Sequence, residues 1–111
     1  MFYTPVDEDL LGLPHDSNYL IYRWGRTDCR IYFSAAQKGG AVTMHLASDK
    51  AGLRQLAVAS SEFCEHIFNE FNWCQMIFGI IGPRSIVRLS ERCGFQRLLT
   101  NDNATVMVRY R

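Results

Sequence analysis

The sequence has no apolar run approaching the ~20 residues that a membrane-spanning helix needs. Its first residues also lack the basic, apolar and cleavage-site succession of a signal peptide. With neither feature, no membrane contact is expected, and a soluble, cytoplasmic protein is. Charge of one sign is missing too: 12 Lys and Arg stand against 11 Asp and Glu, a formal net charge of +1. That balance gives no electrostatic pull toward nucleic acid. There are no repeats, low-complexity tracts or linkers, so residues 1–111 read as a single domain. Among Cys29, Cys64, Cys74 and Cys93 there is no Cys-x-x-Cys pair. Cys64-Glu-His66 with Cys74 and Cys93 matches no standard zinc spacing, and a helix turns residues i and i+2 to different faces. No metal is expected, and the four cysteines read as reduced core thiols.

What is present is a globular composition, 48% apolar and 21% charged. The chain is organised around Ala41 to Phe95. Ala41–Ala47 reads as a strand, and Ser48-Asp49 is a helix-start signal. Apolar residues at Leu53, Leu56/Ala57, Phe63/Cys64, Ile67 and Phe71 predict one helix over 51–71 with a single buried face. Met76–Ile81 is apolar on both sides, as a central parallel strand should be. Gly82-Pro83 opens a helix of about ten residues. Before this unit, Tyr19–Trp24 and Cys29–Ser34 have strand composition and make a meander with Ala41–Ala47. After it, Phe95–Thr100 and Ala104–Tyr110 are strands joined at Asn101-Asp-Asn103. At the start, Met1–Thr4 reads as extended, Pro5–Gly12 as a short acidic helical turn and 13–18 as a loop. The class is α+β with a mixed sheet, in the order βββ-α-β-α-ββ.

This order, with Pro83-Arg-Ser-Ile-Val-Arg-Leu-Ser-Glu-Arg-Cys-Gly-Phe95, resembles the GNAT superfamily of N-acetyltransferases. Leu89, Glu91, Arg92, Gly94 and Phe95 carry the likeness most clearly. It implies a GNAT-like mixed sheet in which residues 1–18 replace the usual two N-terminal helices. It also implies two parallel strands splayed around the pantetheine arm of acetyl-CoA, and an Arg/Gln-x-x-Gly-x-Gly/Ala loop holding the pyrophosphate on helix-start N–H groups. Asp49-Lys-Ala-Gly-Leu-Arg54 stands at that place, so Lys50, Gly52, Leu53 and Arg54 are the cofactor-binding candidates. Asp49 replaces the basic or amide residue and Arg54 the second glycine. Arg84 and Arg88, in a basic stripe with Arg92, are candidates for the CoA phosphates or an acidic partner. Ser90 stands where the family often has a Tyr general acid, and Pro83 where it has an Asn. His45, on the strand before the long helix, is the candidate base.

Two functions follow from the resemblance. One is an acyl-CoA-dependent N-acyltransferase moving an acetyl group from acetyl-CoA to an amine. The other is a catalytically silent GNAT-like interaction or structural protein, of the stripped kind carried by bacteriophages, binding a protein partner. Glu62, Glu65 and Asn69 read as a solvated helix face. The N-terminal aromatics Tyr3, Tyr19, Tyr22, Trp24, Tyr32 and Phe33 read as core. Any left exposed on an edge strand would mark a homodimer or partner contact.

Overall fold

The computed structural model describes all of residues 1–111. Seven strands form one sheet: β1 (Phe2–Tyr3), β2 (Leu20–Trp24), β3 (Ile31–Lys38), β4 (Ala41–Ser48), β5 (Met76–Ile81), β6 (Gln96–Thr100) and β7 (Thr105–Tyr110). Their spatial order is β1-β2-β3-β4-β5-β7-β6. Every neighbouring pair is antiparallel except β4–β5, which the crossover through the long helix makes parallel. Two α-helices, α1 (Leu56–Glu70) and α2 (Arg84–Arg92), pack on one face of this sheet and against each other.

The core lies between that face and the helices. Phe33 of β3 stacks on Phe63 of α1 with centroids 4.4 Å apart and planes 7° from parallel. Phe2 and Tyr22 meet Phe63 edge-on. Leu56, Ala59, Phe63 and Ile67 supply the buried stripe of α1, at the spacing that buries one side of a helix. Helix α2 closes on Gly94, whose φ of +88° is the left-handed conformation that glycine adopts without steric cost. The Phe95 N–H returns to the Ser90 carbonyl at 3.1 Å, and Phe95 is buried. The four cysteines are buried and unpaired, and no helix is long and apolar enough to cross a membrane.

Three expectations are corrected. The helix predicted over 51–71 begins as a 3₁₀ segment, Ala51–Gln55, before α1. The tighter turn breaks the 3.6-residue period, and Leu53, expected on the buried stripe, is 54% exposed. Pro5–Gly12 is not helical. Asp7 and Leu11 adopt left-handed φ values of 55° and 57°, and the Asp9 carboxylate accepts the Leu11 N–H at 3.1 Å. The Glu8 carboxylate is drawn onto the sheet by the Arg23 guanidinium and the Tyr32 hydroxyl. The strand predicted to end at Ser34 runs on to Lys38, because its last four residues pair with Ala41–Met44.

The residues after β1 therefore cross the sheet face opposite the helices. Phe33 points to the helices, so alternation sends Tyr32 and Ser34 to the other face. There Tyr32 donates to Glu8 at 2.7 Å, and Leu13 is 2% exposed.

Candidate active site

Strand β4 pairs with β3 along its whole length but with β5 only at Ala41, Val42 and Thr43, opposite Met76, Ile77 and Phe78. Beyond these residues the parallel strands part. Each stays satisfied on its other side, β4 by β3 and β5 by β7 as far as Ile81. The Asp49 N–H donates to the Arg30 carbonyl at 2.9 Å, on the β3 side. Alternation then turns the N–H and C=O groups of Leu46 the other way, into the gap.

A cavity of about 360 Å³ occupies the gap and runs through the sheet. On the helix side it is walled by Leu56, Ser60, Ile86, Leu89 and Ser90. On the other side Leu11–Pro14, His45 and Ala47 close it. Ser60 is 4% exposed, and its Oγ is buried with no hydrogen-bond partner. A buried hydroxyl left unpaired is costly unless something fills its site. The Ser34 Oγ is likewise buried and unpartnered, directly across the β3–β4 ladder from His45.

The cavity brings together two of the residues expected to act, His45 and Ser90. The His45 ring meets Tyr19 edge-on at 5.7 Å. The Ser90 hydroxyl donates to the Ile86 carbonyl at 2.9 Å, which commits its proton to the helix backbone. Cys93 also lines the wall. Burial raises its thiol above the ordinary value, and burial pushes the Cys64 thiol up to about 12. Both stay protonated and poorly nucleophilic.

Lys50, Gly52, Leu53, Arg54, Arg84 and Arg88 do not line the cavity. Gly52 is buried, and its N–H donates to the Asp49 carboxylate at 2.8 Å. A Cβ on Gly52 would lie 2.3 Å from Ser48 Oγ and 2.7 Å from Ile31 Cγ1, so the glycine is needed for packing. Lys50, Arg54, Arg84 and Arg88 are exposed and in no ion pair. Because β4 and β5 are parallel, the segments carrying these cations start at the same end of the sheet and flank the same mouth of the gap. Sequence reasoning missed Ser60. Its signal was present, a hydroxyl at the Leu56 + 4 position of an otherwise apolar stripe.

The chain has the fold of the GNAT acetyltransferases. It superimposes on a spermidine N-acetyltransferase SpeG variant from Vibrio cholerae with a TM-score of 0.70, at 11% identity, over 86% of this chain and 68% of that one. The N-acetyltransferase PseH of Campylobacter jejuni gives 0.70 at 10% identity, covering 86% and 70%. The aminoglycoside acetyltransferase AAC(6')-Ib, in complex with ribostamycin and coenzyme A, gives 0.65 at 18% identity, covering 85% and 65%. The chain thus spans about two thirds of the length of these proteins. No family model matches the sequence, and neither does any curated protein.

Proposed function

We propose that the protein is an N-acyltransferase that moves an acetyl group from acetyl-CoA to an amine. The observation that carries this is the gap between β4 and β5: an apolar slot edged by backbone groups of Leu46 without strand partners. The pantetheine arm of CoA is a thin chain with amide groups, and such an edge offers it strand-like hydrogen bonds. The orphaned Ser60 hydroxyl offers one more. When bound, acetyl-CoA supplies the activated acyl carbon. The chain contributes an N–H edge for the carbonyl oxygen and the His45 ring as proton acceptor. Lys50, Arg54, Arg84 and Arg88 meet the phosphates at the mouth as charges, while the Gly52 N–H stays with Asp49. That closed N–H favours the second reading, a silent GNAT-like domain that binds a protein partner.

Calorimetric titration with acetyl-CoA decides between the two. The expected result is micromolar binding, about −8 kcal/mol. Ser60→Ala should weaken it by roughly tenfold, the loss of one hydrogen bond, without lowering the stability of the free protein. No heat and no thermal shift at millimolar acetyl-CoA would overturn the acyltransferase and leave the silent domain.

A further inference from the structure

The walls of the cavity contain no Asp, Glu, Lys or Arg. His45 and Cys93 are the ionisable side chains among them, with Ser60 and Ser90 as the hydroxyls. The acids that flank the lining residues are engaged elsewhere: the Asp49 carboxylate accepts the Gly52 N–H and lies 3.8 Å from the Arg30 guanidinium, and Glu91 accepts from Arg97. Asp9 and Asp16 accept the N–H groups of Leu11 and Asn18, and Glu8 is held by Arg23 and Tyr32. On the side away from the helices the slot is lined by Leu11, Leu13, Pro14 and His45, so an amine bound there meets apolar carbon and one imidazole.

Burying a cation in such a site costs free energy that no carboxylate on its walls offsets. An alkylamine with the basicity of lysine is neutral in roughly one molecule in a thousand or fewer at pH 7. From the uncharged lining we infer that the acceptor is a weakly basic, apolar amine, of the aromatic amine class, already neutral when it binds. This rests on the acyltransferase function proposed above and narrows its substrate. In the transfer, the amine nitrogen forms a bond to the acyl carbon and the thioester C–S bond breaks. CoA leaves as thiolate, and the nitrogen's surplus proton passes through His45 to that thiolate or to water. An aromatic amine needs no proton removed before attack, so a single imidazole suffices.

The test measures acetyl transfer by mass spectrometry with 4-methoxyaniline, phenethylamine and spermidine, after calorimetry with acetyl-CoA alone. The expected kcat/KM for 4-methoxyaniline at pH 7 exceeds that for phenethylamine at least tenfold, with no transfer to spermidine. The gap should narrow as pH rises and phenethylamine loses its proton. Equal or better use of phenethylamine or spermidine at pH 7 overturns the inference and leaves acyl transfer standing. Acetyl-CoA binding without transfer to 4-methoxyaniline also overturns it. Absence of acetyl-CoA binding overturns both. Leu11→Asp supplies a second arm, because φ of +57° suits Asp better than Leu and the fold should tolerate the change. The new carboxylate should shift the ratio toward phenethylamine by several-fold, and an unchanged ratio in the folded variant counts against the inference.

Discussion

Replacing Gly52 with Ala separates a packing role from a phosphate-binding role at the start of the long helix. The added Cβ would lie 2.3 Å from Ser48 Oγ, 2.7 Å from Ile31 Cγ1 and 3.2 Å from Asp49 Oδ1. None of these is the loose end of a long side chain. Ile31 is fully buried, and the Ser48 hydroxyl donates to the Asp49 carbonyl at 2.8 Å. Relief must come from moving the 3₁₀ segment off the sheet, which also stretches the 2.8 Å bond from the Gly52 N–H to Asp49. Overpacking of this kind costs about 1–3 kcal/mol, and the loss of a helix-start cap about 1 kcal/mol more. A total near 3 kcal/mol lowers Tm by roughly 10–20 °C in a domain of this size. Urea unfolding and thermal melts followed by circular dichroism would measure it. Ser48→Ala removes the nearest clashing atom, so the double variant should recover part of the loss, as contacting residues do in a double-mutant cycle. An unchanged melting temperature together with weakened acetyl-CoA binding would refute the packing argument and return Gly52 to the phosphate loop.

Other expectations are as direct. Ser90→Ala should change the acetyl-transfer rate by less than about threefold, because the hydroxyl proton is held by the Ile86 carbonyl. A general acid contributes about 10²–10⁴, so a loss of that size would restore Ser90 as the acid. The hydrogen bond from Tyr32, with the Arg23 guanidinium beside it, holds the Glu8 carboxyl below its ordinary value of 4.5. Its stabilisation is therefore complete above that value and fades as pH falls through the lower folded-state value. Glu8→Gln should lower stability at pH 7 and flatten the decline below about pH 4.5, read from urea unfolding between pH 3 and 7. Phe63→Ala removes the ring stacked on Phe33 and should cost about 3–5 kcal/mol, visible as a collapse of the urea midpoint.

The strand and helix order was legible in the sequence because each element carries its own periodicity. The stripe Leu56, Phe63, Ile67 buries as its spacing demands, whereas in the apolar run Met76–Ile81 only Ile77 is buried and Ile80 is 69% exposed, because β5 has parted from β4 at that end. Gly94-Phe95 ends α2 by local chemistry alone, since only the residue at φ +88° must be glycine-like. Tertiary structure decided the rest. The 3₁₀ start at Ala51–Gln55 seats buried Gly52 against Ile31 of β3, a contact between distant parts of the chain. The path of residues 4–19 is set by Glu8 reaching Arg23 and Tyr32 and by Leu13 finding the sheet. The candidate site was divided in the same way. His45 and Ser90 could be named because the family resemblance assigns their positions on a strand and a helix. The gap exists because β3 and β7 hold β4 and β5 along lengths over which those two strands do not pair with each other. No single segment encodes that separation. The unpartnered Ser60 hydroxyl and the absence of charge on the slot's walls became visible only once the gap had gathered its lining residues from six parts of the chain.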